Sequence, residues 1–254
     1  MDLSIILVGL LGWLGGSVIN YLSDVLPFKR SLARPVCPAC GAEQTNLGYW
    51  FLPVRCQACG AQRRLRVWLV YLLAVAAALF LWLAPDQRLP FWLNLLVGLY
   101  FGLVIVIDLE HRLILHPTSL AGAVLGVGVG VWLHGWLATL LGGIAGFGLM
   151  FAMYLLGNVF GRWMAKRRNI QGEEGEAMEE ALGFGDVNLA GVIGLMLGWP
   201  GVIAGLLLAI FLGGAVSLIY LIVTLLLRRY KAFIAIPYGP FLALATLFLL
   251  YFRL

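Results

Sequence analysis

Runs of about 20 almost purely apolar residues recur along this chain and constrain its fold more than any other feature. The stretch Val202–Leu227, for example, contains no charged residue. A transmembrane helix needs about 20 such residues to cross the hydrocarbon core of a bilayer. Of the whole sequence, 62% is hydrophobic and only 11% is charged, whereas a soluble domain carries about 25% charged residues. This composition excludes a soluble globule and a disordered protein, and it predicts an integral membrane protein.

Eight stretches are apolar enough to be spans, which predicts an all-α polytopic membrane protein with about eight transmembrane helices. The fourth and sixth of them are short, and glycines are dense in the fourth and fifth, where small residues let helices pack closely in lipid. We expect a first transmembrane helix at 1–22, a small loop domain at 23–66 and a membrane core of about seven helices at 67–254. The eight spans are Leu3–Leu22, Val67–Ala84, Phe91–Ile107, Ser119–Leu133, Trp136–Phe160, Val187–Trp199, Val202–Leu227 and Phe233–Phe252.

The basic residues predict the orientation of these spans. Fifteen of the 17 lysines and arginines fall in alternate connections, and only Arg88 and Arg253 fall on the other side. Basic residues are enriched in cytoplasmic loops, so the 23–66 loop is expected in the cytoplasm and both termini outside. The formal charge of +5 then indicates loops beside anionic membrane lipid, and not a nucleic-acid-binding surface. The chain is therefore expected to cross a cell membrane several times, with its basic loops on the cytoplasmic side.

All four cysteines lie in the first of these cytoplasmic connections, as Cys37-x2-Cys40 and Cys56-x2-Cys59. This spacing is typical of a tetrahedral zinc site, and a glycine after each pair allows the tight turn that presents two sulfurs to one ion. The alternatives are two disulfides or four unliganded thiols, although the reducing cytosol disfavours disulfides. Four thiolates would close the coordination shell, so the zinc is expected to be structural.

Two aspartates occupy the ends of predicted spans. Asp108 follows an apolar run, and Asp186 directly precedes one. The orientation places both at the cytoplasmic boundary, where two carboxylates suit aspartyl proteolysis: one activates a water molecule while the other protonates the leaving amine. The alternative is that Asp186 is a helix N-cap and Asp108 a solvated helix end. The residues alone leave both interpretations open.

Several motifs together resemble one family, the type IV prepilin peptidases, which are membrane aspartyl proteases with a GxGD signature. The signature matches Gly183-Phe184-Gly185-Asp186, and the doubled CxxC loop also resembles the family. The remaining matching stretches are Gly16-Ser17-Val18-Ile19-Asn20, Ile107-Asp108-Leu109, Leu115-His116-Pro117, Glu180–Leu189 and Ile236–Ala243. They occur in the family's order over nearly the whole chain.

The resemblance implies an endopeptidase that removes the basic leader from prepilins or pseudopilins of pilus or type II secretion systems. Asp108 and Asp186 match its two catalytic aspartates. Many members also methylate the new N-terminus with S-adenosylmethionine. This sequence departs from the family pattern in three places: Asn188 replaces a common lysine, Val67–Leu73 lacks an acidic residue, and Val25-Leu26-Pro27 lacks an arginine. The peptidase pair is intact, and N-methylation remains open.

Two other classes of function compete with the enzyme. A proton-coupled transporter could relay protons through Asp108 and Asp186, although its carboxylates are expected near the membrane midplane rather than at span ends. A zinc-ribbon membrane scaffold would use the cysteines without needing the GxGD motif. Cleavage of a prepilin by the purified protein would separate all three.

Overall fold

Seven helices are formed by the part of the chain that the structure, a computed structural model, describes. The described residues are 3–29, 32–37, 39–43, 56, 58–62, 65–84, 88–167, 183–227 and 237–252. The helices are α1 (Leu3–Lys29), α2 (Leu65–Leu83), α3 (Phe91–His111), α4 (His116–Arg167), α5 (Phe184–Leu197), α6 (Gly201–Leu226) and α7 (Gly239–Tyr251). These ranges contain no β-strand, and an isolated β-bridge pairs Val36 with Glu43. The predicted all-α class is confirmed.

The described helices fit the membrane assignment. Five of them, α1 to α4 and α6, are long and apolar enough to cross a bilayer, and α5 and α7 are shorter apolar helices. The eighth predicted span, Phe233–Phe252, begins outside the described residues. The number of eight crossings stays a prediction.

The fourth and fifth predicted spans both lie in α4, which is broken at Gly135. This residue has φ 79° and ψ 172°, a backbone conformation with positive φ that glycine adopts without strain. A Cβ atom on Gly130 would come within 2.7 Å of the Thr139 hydroxyl oxygen, although nine residues of straight helix would separate the two by about 13 Å. The chain therefore turns back at Gly135, and α4 is a helical hairpin.

Helices α1 to α3 belong to the first of two compact units, Met1–Leu115. Close approach and buried hydrogen bonds join α1 to α2. A Cβ atom on Gly12 would lie 2.7 Å from the backbone of Val75. The amide of Asn20 donates to the carbonyl of Val67 at 3.2 Å, and the hydroxyl of Ser17 contacts that of Tyr71 at 3.2 Å. The polar residues of the Gly16–Asn20 motif thus hold two helices together.

Helices α4 to α7 belong to the second unit, His116–Leu254. Its centre is α5, where Leu189, Ile193 and Met196 are fully buried. The α4 hairpin packs on α5 through glycines, as the dense glycines of these spans predict. Those that meet α5 or the residue after it are Gly126, Gly130, Gly142, Gly143 and Gly146, whereas Gly128 and Gly148 face open space.

Three helices extend beyond their predicted ends: α1, α3 and α4, the last of which continues past Phe160 to Arg167. The predicted loop begins at residue 23, but α1 continues to Lys29. Its added turns carry Asp24, which forms an ion pair with Arg66 of α2, so the charged residue that follows the apolar run has its partner on the neighbouring helix. Likewise α3 continues past Ile107 to His111 and ends where Arg112 adopts the left-handed conformation, with φ 52°.

Candidate functional site

The four cysteine sulfurs form a cluster that fits a single metal ion. All four lie within 4.8 Å of one another, and the Cys37–Cys59 and Cys40–Cys56 pairs are both 3.8 Å apart. Sulfurs about 2.3 Å from a central zinc ion lie about 3.8 Å from one another in a regular tetrahedron. A disulfide would need about 2.05 Å, and all four cysteines are free thiols. The disulfide alternative is therefore wrong, and the donor set suits zinc.

Two similar backbone turns present the sulfurs. In the first, the amide of Gly41 donates to the carbonyl of Cys37 at 2.8 Å, and the amide of Cys37 donates to the carbonyl of Ala42 at 2.9 Å. The second turn repeats both bonds at Cys56 with lengths of 2.9 Å. Gly41 and Gly60 have φ of 72° and 71°, where a side chain would be strained. The glycines that follow each cysteine pair are required for the turn, as the sequence predicts.

Hydrogen bonds within these turns lower the pKa of two of the thiols, Cys37 and Cys56. Hydrogen bonds from the amides of Ala39 and then Cys40 lower the pKa of Cys37 to about 6. The amides of Cys59 and Ala58 likewise lower the pKa of Cys56. For Cys40 the amide of Ala42 also acts to lower the pKa, but the neighbouring thiols, Cys59 first, and desolvation outweigh it and raise the pKa to about 12. The crowded sulfurs therefore share protons, and a bound cation would displace them.

Asp108 lies in the last turn of α3 and is buried, with 4% of its surface exposed. The residue before it, Ile107, belongs to an apolar cluster that includes Leu26 of α1 and Val70 of α2. The amide of Arg112 donates to the carbonyl of Asp108 at 2.9 Å and closes the helix. Asp108 is therefore not a solvated helix end. A buried carboxyl at the end of an apolar helix is costly, and such residues usually have a function.

Asp186 lies in the first turn of α5, and Gly183 is the N-cap of this helix. The amide of Asp186 donates to the carbonyl of Gly183 at 3.0 Å, so Asp186 is not itself the N-cap. A carboxylate in the first turn is stabilised by the helix dipole. Gly183 has φ −73° and ψ 143°, an ordinary extended conformation, and a Cβ atom there would lie 3.6 Å from Oδ2 of Asp186. Glycine thus keeps the space beside the carboxylate open.

Phe184, the variable residue of the GxGD motif, attaches the start of α5 to the second half of the α4 hairpin. Its ring makes edge contacts with Tyr154 and Phe147, at centroid distances of 5.9 and 6.5 Å. Phe151 stacks on Phe147 at 5.9 Å and continues the cluster. Aromatic pairs at these distances contribute beyond their buried area. This cluster fixes the backbone two residues before Asp186.

Tyr238 is a residue near Asp186 that the sequence analysis of the two aspartates did not identify. It directly precedes α7 and lies close enough to Asp186 for an electrostatic interaction between the two side chains. The sequence signal for it was the Ile236–Ala243 stretch, which the family resemblance singles out without giving the tyrosine a role. Asp186 thus interacts electrostatically with a phenol and also lies at a helix N-terminus.

The predicted site residues fall into three groups. The four cysteines meet in one cluster in the first unit. Asp108 also belongs to the first unit, and Asp186 belongs to the second. Helices of membrane-spanning length, a tetracysteine cluster and two carboxylates at the ends of apolar helices together define the class: a polytopic membrane protein with a four-cysteine loop.

Comparison with known proteins gives the family. The model of the type IV leader peptidase family matches residues 95–218. The prepilin leader peptidase/N-methyltransferase of Aeromonas hydrophila is 30% identical in an alignment of 239 positions that covers 87% of this chain and 72% of that protein. The proteins of the same name from Pseudomonas aeruginosa and Myxococcus xanthus are 30% and 29% identical in alignments of 230 positions, each of which covers 84% of this chain; the alignments cover 70% and 62% of the two relatives. No solved structure matches the chain. The chain belongs to the type IV leader peptidase family, and it is an enzyme.

Proposed function

We propose that this enzyme is a membrane aspartyl endopeptidase that cleaves the leader peptide from type IV prepilins or pilin-like secretion subunits at the cytoplasmic membrane face. The observation that best supports the proposal is the burial of Asp108. Its carboxyl group lies at the end of an apolar helix, and only 4% of the residue's surface is exposed. Asp186, in the first turn of another apolar helix, supplies a second carboxyl. Both residues lie within the region 95–218 that matches the family.

The two carboxyl groups would share the work of peptide hydrolysis. One carboxylate takes a proton from a water molecule, and the water oxygen attacks the carbonyl carbon of the scissile bond. The other group, as a carboxylic acid, gives its proton to the leaving nitrogen when the carbon–nitrogen bond breaks. A catalytic pair of this kind would hold one proton between its two groups, because two like charges at short range cannot both ionise.

The tetracysteine cluster would hold one structural zinc ion, bound by Cys37, Cys40, Cys56 and Cys59. All four positions of a tetrahedral ion are then taken by thiolates, which leaves no position for a water or a substrate. The loop is too short to build a core of its own. We therefore assign the ion to folding of the loop and not to the hydrolytic step.

The proposed orientation places the cysteine loop in the cytoplasm and both termini outside, in the bacterial inner membrane. The support is the distribution of lysine and arginine, 15 of 17 of which fall in alternate connections. Asp108 and Asp186 are then on the side where an unprocessed leader, which is basic, enters. The neighbouring lipid and the prepilin are the proposed partners, and nucleic acid is not.

N-methylation of the new N-terminus is a second proposed activity. Its support is the name of the relatives, prepilin leader peptidase/N-methyltransferase. In this step the free amine would attack the methyl carbon of S-adenosylmethionine, the sulfur–carbon bond would break, and the amine would lose a proton. Asn188 and the lack of an acidic residue in Val67–Leu73 depart from the family pattern, so this activity is tested separately from cleavage.

One experiment tests both activities. The purified enzyme is incubated in detergent with a prepilin peptide that spans the leader junction, with and without S-adenosylmethionine, and the products are weighed by mass spectrometry. The proposal expects a shortened peptide in both samples and one added methyl group only with the cofactor. Cleavage without methylation would show that the enzyme is a peptidase and not a methyltransferase. An uncut peptide would favour a transporter or a scaffold.

A further inference from the structure

One guanidinium group joins all three helices of the first unit. Arg66, the second residue of α2, donates from Nη1 to Oε2 of Glu110 on α3 and to the hydroxyl of Ser23 on α1, both at 2.8 Å. Its Nη2 donates to Oδ1 of Asp24, also on α1. The side chains of Arg66, Asp24 and Glu110 are 19%, 31% and 25% exposed. This three-helix contact is partly shielded from water.

The geometry of this contact requires arginine. A guanidinium offers five donors in a rigid planar fork, so it can bind two carboxylates and a hydroxyl at once, whereas lysine presents a single point of charge. A single exposed ion pair contributes little to stability. Here, however, removal of Arg66 would leave two partly buried carboxylates on adjacent helices without their shared cation, and breaking a shielded pair is costly.

The contact lies in the helical turn that carries Asp108. Glu110 is two residues beyond Asp108 in α3, and side chains two positions apart on a helix point about 200° from each other. Arg66 therefore holds one face of this last turn while Asp108 lies on another. His111, the next residue, packs edge-on against Phe28 of α1 with ring centroids 5.3 Å apart. The end of α3 is thus fixed to α1 from two sides.

The contact also lies at the base of the cysteine loop. That loop leaves α1 after Lys29 and enters α2 at Leu65. Ser23 and Asp24 belong to the end of α1, and Arg66 belongs to the start of α2. Arg66 therefore joins the end of α1 to the start of α2, which are the two points where the loop is attached. The same side chain also holds the end of α3.

We infer that Arg66 is a positioning residue for peptide cleavage, which acts through Glu110 to hold the last turn of α3 and with it the carboxyl group of Asp108. The inference rests on the proposed function, since it takes Asp108 to be catalytic. Arg66 itself touches no reacting atom. Its effect is on the rate of the chemical step and not on substrate binding, because a displacement of about 1 Å of a catalytic group can cost about 100-fold in rate.

The test compares Arg66→Gln, Glu110→Gln and the double variant in the full-length protein with a prepilin peptide. We expect each single variant to lose between about 10-fold and 100-fold in kcat, with KM changed less than about 3-fold. The double variant should be no slower than the slower single variant, because both changes break one contact. Arg66→Lys should recover part of kcat. The control Arg34→Gln, which breaks an exposed ion pair with Glu43 at 3.6 Å, should keep the normal rate.

The outcomes separate this inference from the proposed function. If Arg66→Gln has the wild-type kcat while Asp108→Asn is inactive, the positioning role is wrong and the aspartyl mechanism stands. If Asp108→Asn remains active, the proposed function itself fails. Losses in the single variants that multiply in the double variant, or a loss confined to KM, also overturn the inference. Should Arg66→Gln not purify as a monodisperse protein, Glu110→Gln decides: its kcat must fall at unchanged KM.

Discussion

A Cβ atom on Gly183 would lie 3.6 Å from Oδ2 of Asp186. The backbone of Gly183, with φ −73° and ψ 143°, is open to any residue, so the glycine is not required for the local fold. Its absence of a side chain instead leaves room beside the carboxylate.

Gly183→Ala should give a folded enzyme that cleaves prepilin slowly. The added methyl group fits at van der Waals distance from Asp186 and fills the space that a water molecule or the scissile peptide would use. We expect kcat/KM to fall between about 10-fold and 100-fold, the range that follows displacement of a reacting group. Steady-state cleavage measures the loss, and thermal unfolding in detergent checks the fold. Normal activity in this variant would show that the space beside Asp186 is not used.

Cys40→Ser should remove the metal and loosen the cysteine loop. Four thiolates share one tetrahedral ion, and a hydroxyl is a poor replacement ligand for zinc. We expect about one zinc per chain in the wild-type protein and far less in the variant, together with easier proteolysis of the 23–66 region. Elemental analysis and limited proteolysis measure the two effects. Glu43→Gln, in the same loop but outside the cluster, should keep its zinc. Wild-type protein that is folded but free of metal would contradict the zinc assignment.

Packing of the α4 hairpin on α5 should depend on which glycine is changed. A Cβ atom on Gly142 would come within 2.7 Å of the backbone of Gly198, whereas one on Gly148 would meet nothing within 4 Å. Gly142→Ala should lower the free energy of unfolding by about 1–3 kcal/mol, the usual cost of overpacking. Gly148→Ala should be neutral or stabilising by up to about 1 kcal/mol, because alanine is the better helix former. Denaturation of the two variants in detergent under the same conditions checks the difference, and equal stabilities would contradict the packing.

Sequence patterns predicted those features that depend on neighbours along the chain. The helix starts at Leu3 and Phe91 and the break between the fourth and fifth spans agree with the structure. So do the two turns that bring the cysteines together. Apolar run length, the glycine at a break and the CxxC spacing are local signals, and local chemistry determines the result in each case.

Features that depend on distant partners were not predictable. The extension of α1 through Asp24 depends on Arg66, which is 42 residues away. The interaction of Asp186 with Tyr238 joins a residue of α5 to the residue that precedes α7, and no periodicity in the sequence relates the two. Gly126 and Gly128 are alike in sequence, but only Gly126 meets α5. Each of these depends on which helix face meets which neighbour, information that composition and spacing do not contain.

The central claim is that Asp108 and Asp186 catalyse hydrolysis of the leader peptide bond, and their asparagine variants test this claim most directly. Asparagine keeps the size of aspartate but cannot exchange the proton that hydrolysis requires. Because general acid–base catalysis contributes about 100-fold to 10,000-fold, we expect each single variant to lose at least about 100-fold in cleavage rate while it stays folded and retains zinc. The double variant should be barely worse than either single one, since groups that act as a unit are not additive. The control Glu43→Gln, a carboxylate 60% exposed, should cleave normally.

The deciding measurement is the single-turnover rate of prepilin cleavage by Asp108→Asn and by Asp186→Asn, at equal amounts of folded, zinc-loaded protein. The account predicts almost no shortened product from either variant over the time in which the wild-type enzyme completes the reaction. Cleavage at a near-normal rate by either variant would contradict the aspartyl mechanism.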